Sequence, residues 1–389
     1  MALGVYIDGK WSEGSGPRFA NACPASAETV WEGNAAGPED VAAAIASARK
    51  SFGHWSRLPQ SDRTLVLERY AEEIAKRTER IAETISRDMG KVLWETRAEA
   101  ATMKAKVAVS IAAQNERAGS KFETAPYGSS HLTHRAHGVM AVFGPFNFPG
   151  HLPNGHIVPA LLAGNTCVFK PSELAPGVAA LMAEAFEAAG LPDGCLNIVH
   201  GTRETGGALL NAEINGLLFT GSAKTGVFFH KHFAGRPEVI LALEMGGNNP
   251  LIIWDPADAE AAADIAAQSA FLTTGQRCSC ARRIILPEGK FGDAVVDAII
   301  ARAKGLKIGA WDEEGVFMGP LVSENAAHAA TDFQMMLSKA GGKPLRRLKR
   351  MDRGGGFVTA GVMDITEAHH IPDEELFGPL MQVVRVKTF

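Results

Sequence analysis

Three residues of the sequence have types and surroundings that suit chemistry at a carbonyl carbon. Cys278 lies in GQRCSC (275–280), where a glycine turn presents the sulfur at the edge of an element. Its neighbour Arg277 favours a thiolate if the guanidinium points inward, and the thiolate is the nucleophilic form of cysteine. Cys278 is therefore a candidate nucleophile, although most cysteines in chains of this kind are buried and inert.

Glu244 and Asn147 are the other two candidates. Glu244 follows the apolar stretch ILAL (240–243) and precedes MGGNNP (245–250). That setting suits either a turn cap or a general base in a partly desolvated site, with glycines that let a substrate approach the backbone. Asn147 lies in GPFNFPG (144–150), a rigid turn in which its amide is either an oxyanion donor or part of an Asx turn.

Alternating strands and helices are predicted to position these residues. Short apolar strands separated by helices are typical of a parallel α/β sheet covered on both faces. Ligands bind outside the carboxyl ends of such strands, so the segments that follow them are expected to converge on one crevice. The predicted strands are Val139–Phe143, Thr166–Lys170, Leu196–His200, Gly216–Thr220 and Val239–Glu244.

A second α/β unit is predicted from Leu251 onwards, with a helix over Ala257–Phe271 and a strand over Arg283–Leu286. The fold class is therefore α/β. No Gly-x-Gly-x-x-Gly follows a predicted strand, but FTGSAKTG (219–226) gives Gly-x-x-x-x-Gly at a strand-to-helix junction. Backbone N–H groups at the start of a helix are suited to a pyrophosphate. The segment is not a P-loop, because Val227 follows its last glycine.

Composition excludes several classes of protein. The 389 residues carry 39 Lys+Arg against 43 Asp+Glu, a net charge of −4, and 46% of them are hydrophobic. Such a chain buries a core rather than staying disordered, and it has no positive excess for nucleic acid. Five cysteines at irregular spacing indicate a reducing compartment, and neither a signal peptide nor a membrane helix is expected. The expected location is cytoplasmic.

The polar segment 120–135 interrupts this pattern and is predicted to be an extended excursion or a hairpin. His131, His134 and His137 lie in it or beside it. In a non-helical stretch flanked by glycine and serine, their spacing gives no metal-site geometry, so no metal is expected.

Six motifs in one order point to a known family. The sequence resembles the NAD(P)-dependent aldehyde dehydrogenases over essentially its whole length, and Glu244 and Cys278 are 34 residues apart, as in that family. The resemblance implies a Rossmann-type NAD-binding domain and a second α/β catalytic domain. The motifs that carry it are Gly144–Pro149, KPSE (170–173), Phe219–Gly226, Leu243–Pro250, Phe271–Arg282 and EELFGP (374–379).

Two details narrow the resemblance to one branch of the family: GHLPNGH (150–156) and the pair Asn248-Asn249. The branch oxidises N-succinyl-L-glutamate 5-semialdehyde to N-succinyl-L-glutamate in arginine catabolism, which is the expected function. Another semialdehyde that carries carboxylates is the alternative substrate.

The resemblance implies a role for each candidate. Cys278 attacks the aldehyde as a thiolate and forms a thiohemiacetal, and its backbone N–H and the amide of Asn147 hold the oxyanion. Loss of hydride leaves a thioester, and Glu244 activates the water that hydrolyses it.

The resemblance also implies an NAD site. A carboxylate at the adenosine ribose repels a 2′-phosphate, so Glu173 favours NAD over NADP. Glu375 would hold the nicotinamide ribose, with Phe377 packed nearby. The implied cofactor-binding residues are Lys170, Ser172, Glu173, Gly221, Ser222, Ala223, Lys224, Thr225, Gly226, Glu375 and Phe377.

A substrate with two carboxylates requires cationic or donor groups in its pocket. Arg277 and His151 are the candidates, and a structural ion pair is the alternative for Arg277. The family usually has Asn at the position of Thr273, a departure that we treat as minor.

The resemblance assigns residues 1–117 and 138–245 to the NAD-binding domain, 118–137 to an oligomerisation excursion and 246–389 to the catalytic domain. The segment 118–137 implies a homodimer. The family continues beyond the EELFGP motif for longer than this chain does, so a C-terminally truncated catalytic domain is expected.

Two alternatives to a water-dependent dehydrogenase follow. Enzymes that pass the acyl group to CoA resemble this family but typically lack the base, so Glu244 argues against that class. The second alternative is a catalytically silent fragment that binds nucleotide or pairs with a complementary chain. The expected C-terminal truncation favours this alternative. The presence of Cys278, Glu244 and Asn147 together disfavours it.

Overall fold

The structure, a computed structural model, describes residues 4–255 and 258–389. It divides into two compact units. The first comprises Met1–Asn21, Thr29–Asp88 and Thr96–Glu244, and the second Ala22–Glu28, Met89–Glu95 and Met245–Phe389. The sequence prediction that no signal peptide is present rests on the first residues of the chain. Of these, Met1–Leu3 lie outside the described residues.

The strands and helices from Val5 to Met245 lie wholly or largely in the first unit. Its strands are β1 (Val5–Ile7), β2 (Lys10–Ser12), β3 (Arg18–Ala22), β4 (Thr29–Asn34), β5 (Lys121–Ala125), β6 (Gly128–Leu132), β7 (Val139–Phe143), β8 (Thr166–Lys170), β9 (Leu196–Val199), β10 (Gly216–Gly221) and β11 (Ile240–Met245). Its helices are α1 (Pro38–Trp55), α2 (Gln60–Lys76), α3 (Thr78–Met89), α4 (Leu93–Arg117), α5 (His151–Leu162), α6 (Gly177–Ala188), α7 (Arg203–Leu210) and α8 (Ala223–His232).

The second unit continues the alternation. Its strands are β12 (Pro250–Ile252), β13 (Arg283–Pro287), β14 (Lys343–Arg346), β15 (Gly361–Asp364) and β16 (Leu380–Val386). Its helices are α9 (Ala259–Phe271), α10 (Lys290–Gly305) and α11 (Glu324–Lys339), with a short turn over Leu272–Gly275.

A seven-stranded sheet organises the first unit, in the order β11-β10-β7-β8-β9-β1-β2. β7 pairs in parallel with both β8 and β10, and β8 pairs in parallel with β9. Every residue of β7 and β8 is buried, as expected of strands covered on both faces. The predicted parallel α/β sheet is confirmed, and β7 and β8 have the predicted bounds.

The order of these strands reverses at β7. From β7 the chain adds β8 and β9 on one side, then returns to add β10 and β11 on the other. In open α/β sheets a ligand binds at such a reversal, outside the carboxyl ends of the strands. The topology therefore favours a binding site between the ends of β7 and β10.

A five-stranded sheet organises the second unit, in the order β12-β13-β16-β15-β14. β12, β13, β16 and β15 are parallel neighbours, and β14 is antiparallel at the edge. Alanines of α9 and the apolar side of α10 pack with the inner strands into one core. The second α/β unit is thus confirmed, with α9 beginning at Ala259. Ala257, where its start was predicted, lies outside the described residues.

The helix predicted around Ile157 begins earlier than expected. Helix α5 starts at His151 and includes Pro153 in its first turn, where proline fits because the N–H that it lacks is one without an intrahelical partner. The GHLPNGH motif is therefore a helix start.

A two-stranded hairpin, β5–β6, occupies the polar segment. Its ten paired residues are exposed or, at Ala125, half-buried. The exposed side chains include Phe122, Tyr127 and Leu132. Within the part of the chain that the structure describes, no helix has the length and apolar character needed to cross a membrane.

Candidate active site

The predicted site residues of the first unit follow the ends of its parallel strands. Asn147 lies four residues after β7, Lys170 closes β8 and Gly221 closes β10. Because the three strands are parallel neighbours, their carboxyl ends lie side by side at one edge of the sheet. The structure thus brings these three segments together, as the sequence predicts.

The turn that carries Asn147 is tightly packed. A Cβ at Gly144 would lie 2.8 Å from Cγ of Pro153 and 2.9 Å from Cε2 of Phe169, so only glycine fits there. The Gly144 N–H donates to the Lys170 carbonyl at 3.0 Å, which extends the ladder between β7 and β8 into the turn. Asn147 is only 4% exposed. Its amide is therefore held in a fixed place, which is what a preorganised donor requires.

A buried carboxylate that the sequence did not single out holds the next part of this segment. Oε1 of Glu99 accepts the backbone N–H groups of Gly150 at 3.0 Å and His151 at 3.1 Å. Glu99 is 2% exposed and binds at the N-terminus of α5, where a negative charge is favourable. The ring of His151 packs edge-on against Phe148.

Lys170 and Glu173 form an ion pair at the end of β8. Nζ of Lys170 lies 3.6 Å from Oε2 of Glu173 and donates to the Pro171 carbonyl at 3.1 Å. Burial lowers the pKa of the Lys170 ammonium, and the Glu173 carboxylate opposes that shift. Ser172 accepts the backbone N–H of Leu174 at 3.2 Å. A buried ammonium beside a half-exposed carboxylate suits a polar ligand rich in hydroxyl groups.

Ser222 caps the helix that follows β10. Its Oγ accepts the Thr225 N–H at 3.2 Å and lies 2.9 Å from the Thr225 hydroxyl, so both bonds span three residues. The start of α8 (Ala223–Gly226) presents backbone N–H groups, with the positive end of the helix dipole. The junction fits the predicted anion-binding segment.

Glu244 lies near the end of β11, next to β10 in the sheet. The side chain is exposed, and the structure shows no partly desolvated setting around it. β11 is an edge strand of its sheet, and that position leaves its outward residues open to solvent.

In the second unit, three successive left-handed residues precede the Cys278 segment. Thr273, Thr274 and Gly275 have φ values of 55°, 57° and 71°. This conformation is rare for a β-branched residue and is kept only where the surroundings enforce it. Gly275 packs so closely that a Cβ would lie 2.3 Å from the Gly378 carbonyl oxygen.

Hydrogen bonds to the Glu95 carboxylate stabilise the left-handed conformation of Thr273. The carboxylate accepts the Thr273 N–H at 3.1 Å and the Thr273 hydroxyl at 2.8 Å. The Thr274 hydroxyl donates to the Gly319 carbonyl at 2.8 Å. The Glu95 side chain is 1% exposed and also forms an ion pair with Arg277, Nη2 to Oε1 at 2.5 Å.

The hydrogen bonds of its guanidinium fix the position of Arg277, the residue before Cys278. Besides the bond to Glu95, its Nε donates to the Thr273 hydroxyl at 2.7 Å. The structural ion pair left open as the alternative for Arg277 is present.

The carbonyl groups around Cys278 are fixed by Asn249. Its Nδ2 donates to the Cys278 carbonyl at 2.6 Å and to the Cys280 carbonyl at 3.0 Å. Its neighbour Asn248 donates to Asp373, which Arg283 also binds. Asn248 therefore connects the segment after Gly246-Gly247 to Asp373, and Asn249 connects it to the backbone around Cys278.

Arg282 connects the same turn to Glu375. The guanidinium donates to the carbonyls of Gly275 at 2.6 Å and Arg277 at 2.8 Å, and it pairs with Glu375 at 2.7 Å. It also lies over the ring of Phe377, 5.4 Å from the centroid. The structure therefore joins the predicted nucleotide-ribose residues to the predicted nucleophile segment.

The five cysteines are all free, and Cys278 is the exposed one. Burial raises the pKa of the Cys167, Cys195 and Cys280 thiols, to about 12 for Cys195. Cys278 is accordingly the thiol best placed to react. Among the described residues, no group of three or more His, Cys, Asp or Glu side chains is arranged to hold a metal.

Comparison with known proteins decides the family. The profile of the aldehyde dehydrogenase family matches residues 11–389. The N-succinylglutamate 5-semialdehyde dehydrogenase 2 of Caulobacter vibrioides is 53% identical, over 100% of this chain and 80% of that protein. The corresponding enzyme of Burkholderia mallei is 50% identical over 98% of this chain and 79% of its own length.

This chain belongs to the aldehyde dehydrogenase family. Its fold matches the betaine aldehyde dehydrogenase of Staphylococcus aureus, solved in complex with NAD+, with a TM-score of 0.93 and 28% identity, over 100% of this chain and 79% of that one. The resemblance drawn from the motifs is confirmed.

As an aldehyde dehydrogenase, the chain shows which supporting residues its motifs did not reveal. Glu95, Glu99 and Arg282 hold the site segments, yet sequence reasoning gave none of them a role. Arg282 lies within the Phe271–Arg282 motif, four residues after Cys278. Its closeness to Cys278 in the sequence could have indicated a role near the nucleophile. Glu95 and Glu99 gave only a four-residue spacing on a predicted helix, which by itself indicates nothing about a site.

Proposed function

We propose that this chain catalyses the NAD-dependent oxidation of N-succinyl-L-glutamate 5-semialdehyde to N-succinyl-L-glutamate, a step of arginine catabolism. The observation that carries the proposal is Cys278, the exposed cysteine, in a fixed turn of a chain that is 53% identical to an enzyme with that name. The free cysteines support a cytoplasmic setting, because structural disulfides are rare in reducing compartments.

Cys278 is the proposed nucleophile. Its thiolate bonds to the aldehyde carbon, and the carbonyl oxygen becomes the oxyanion of a thiohemiacetal. The backbone N–H of Cys278 and the amide of Asn147 are the proposed donors to that oxyanion. The burial of Asn147 and the bonds of Asn249 around Cys278 support fixed positions for both donors.

When bound, NAD would supply the acceptor for the hydride that leaves the thiohemiacetal. The residues present suit such a dinucleotide: a capped helix start for phosphates, and carboxylates for the ribose hydroxyls. We assign Glu173 and Lys170 to the adenosine ribose, Gly221–Gly226 to the pyrophosphate, and Glu375 with Phe377 to the nicotinamide ribose. Glu173 favours NAD over NADP through repulsion of a 2′-phosphate.

Glu244 is the proposed general base that activates water for hydrolysis of the thioester. Its exposure supports access of water at this step. The Glu244→Gln variant should release NADH in a burst of about one equivalent per Cys278 and then stall, since acylation does not need this base. Exposed Glu238, changed to Gln, is the matched control. A Glu244 variant with unchanged steady-state turnover would remove this role.

Arg277 and His151 remain the proposed contacts for the substrate carboxylates. Arg277 already pairs with Glu95, so it would bind a substrate carboxylate while keeping that partner. A cation held in this way is preorganised, which favours recognition of an anion.

We also propose that the chain forms a homodimer through the β5–β6 hairpin (118–137). An isolated two-stranded hairpin is at best marginally stable, so exposed Phe122 and Leu132 favour coverage by a second copy. The assignment of residues 1–117 and 138–245 to NAD binding and of 246–389 to catalysis is part of the same proposal.

The deciding measurement is NADH formation from succinylglutamate semialdehyde, run with NAD or NADP and with or without CoA. We expect turnover with NAD, no dependence on CoA, and a much higher KM for an aldehyde of similar length without carboxylates. CoA-dependent turnover would indicate acyl transfer to CoA. Retained NAD binding without any turnover would overturn the proposed function.

A further inference from the structure

Arg282 is a buried cation of the second unit and is 1% exposed. A buried guanidinium must be compensated, and here its partner is the Glu375 carboxylate, at 2.7 Å from Nη2 and 3.2 Å from Nε. The remaining donors bind backbone carbonyls on either side of Gln276, those of Gly275 and Arg277. The side chain therefore spans the turn before Cys278.

The bond from Arg282 to the Arg277 carbonyl fixes a particular N–H. The carbonyl of residue 277 and the N–H of residue 278 belong to one planar trans peptide and point in opposite directions. Nη2 of Arg282 at 2.8 Å, together with the Cys280 N–H at 3.1 Å, holds that carbonyl. The Cys278 N–H must then point away from Arg282.

That N–H is available to a ligand. Within the residues that the structure describes, no acceptor receives a hydrogen bond from the backbone N–H of Cys278. Asn249 holds the carbonyl on the other side of the same residue at 2.6 Å. The peptides on both sides of Cys278 are thus held by side chains, and the residue itself is exposed.

Glu375 is restrained as closely as Arg282. A Cβ at Gly246 would lie 1.9 Å from Oε2 of Glu375, so this carboxylate rests against bare backbone. Its Oε1 receives both Nε and Nη2 of Arg282. A shift of Glu375 would therefore move the guanidinium that holds the Arg277 carbonyl.

We propose that Arg282 is a positioning residue that orients the Cys278 N–H as an oxyanion donor and links that orientation to Glu375. The inference rests on the proposed function in treating Cys278 as the nucleophile. It predicts that the charge on Glu375 matters to chemistry at Cys278 even when no cofactor takes part.

The test is acyl transfer from p-nitrophenyl acetate without NAD. The Cys278 thiolate, its proton lost to solvent, bonds to the acetyl carbon. The resulting oxyanion collapses, the bond to p-nitrophenolate breaks, and water later hydrolyses the acetyl thioester. Alkylation of Cys278 by iodoacetamide is the parallel reaction, because it uses the same thiolate but forms no oxyanion.

We expect Arg282→Lys to lower kcat for ester cleavage by about 10- to 100-fold, with KM and the alkylation rate changed by less than about 3-fold. Lys presents one head group and cannot hold two carbonyls and Glu375 together. Arg283→Met, at the next position and paired with exposed Asp373, should match the wild type. Glu375→Gln should lower ester cleavage about 3- to 10-fold by weakening the hold of the pair on Arg282.

Equal losses in ester cleavage and alkylation, or wild-type rates for Arg282→Lys, would overturn the inference. An unaffected Glu375→Gln variant would remove the link to Glu375. Arg282→Met should lower ester cleavage at least as much as Arg282→Lys, and the Lys variant decides if the Met variant does not fold. If ester cleavage depends on Arg282 but the chain forms no NADH, the proposed function is overturned and this inference is supported. A wild-type chain that does neither would overturn both.

Discussion

The turn before Cys278 and the start of helix α8 are held in opposite ways. Glu95 binds Thr273 across 178 residues of sequence, and Arg282 binds Glu375 across 93. Ser222 binds Thr225, three residues away. The first arrangement uses buried side chains and left-handed backbone, and the second uses an exposed cap between residues that are close in sequence. A covalent step demands fixed atoms, whereas a phosphate needs only a row of N–H groups.

The largest effect expected from this comparison follows replacement of the thiol itself. Cys278→Ser should lower aldehyde oxidation by at least about 10³-fold, because a hydroxyl is a far weaker nucleophile at neutral pH. NAD binding, measured by titration, should be retained. Cys280→Ser, at the buried neighbouring thiol, is the control and should keep most activity. Comparable losses of activity in both variants would mean that the substitutions disturb the turn, and would not support Cys278 as the nucleophile.

Next in size is the loss of the buried carboxylate that holds the turn. Glu95→Gln should lower the free energy of unfolding by about 2–3 kcal/mol, because Arg277 loses its compensating charge. Denaturant unfolding measures the difference. Glu79→Gln removes an exposed pair with Arg97 and should cost less than about 1 kcal/mol. Equal costs for the two would contradict a special role for the buried pair.

A smaller effect is expected at the glycine of the turn. Gly275→Ala places a Cβ 2.3 Å from the Gly378 carbonyl at a φ of 71°, which should cost about 2 kcal/mol. Gly190→Ala is the matched control, since its φ is 80° and nothing lies within 4 Å of a Cβ at that position. We expect about 1 kcal/mol there, from backbone strain alone. If thermal or denaturant unfolding ranks the two the other way, close packing does not restrain the turn.

The smallest effect belongs to the locally held segment. Ser222→Ala removes the cap of α8 and should cost about 0.5–1 kcal/mol in unfolding free energy. The affinity for NAD should fall by less than about 5-fold, because the backbone N–H groups remain. Ser222→Asn, which caps equally well, should restore stability. A loss as large as that of Glu95→Gln would erase the contrast between the two segments.

The same contrast explains what the sequence could predict. Strands such as β7 and β8 were predictable to the residue, because a buried parallel strand needs an unbroken apolar run. Motifs located Cys278, Glu244 and Asn147, since glycine and proline mark the turns that carry them.

Long-range pairs could not be predicted in the same way. Nothing near Glu95 indicates that its partner is Arg277, 182 residues later, because a buried ion pair has no sequence period. The left-handed Thr273 and Thr274 were equally hidden, since local preference disfavours that conformation and distant groups impose it. The exposure of Glu244 depends on what covers an edge strand, which local pattern does not reveal.

The distribution of the five thiols has a consequence for oxidative damage. Four are buried, and the pKa of at least three of these is raised by that burial, so their thiolate fraction at neutral pH is minute. Peroxide attacks thiolates, and oxidation to the sulfenic acid should therefore begin at Cys278. Buried Cys280, two residues on, stays protonated and is a poor partner for rescuing that sulfenic acid as a disulfide. The side chain proposed as the nucleophile is thus also the one that an oxidant would modify first.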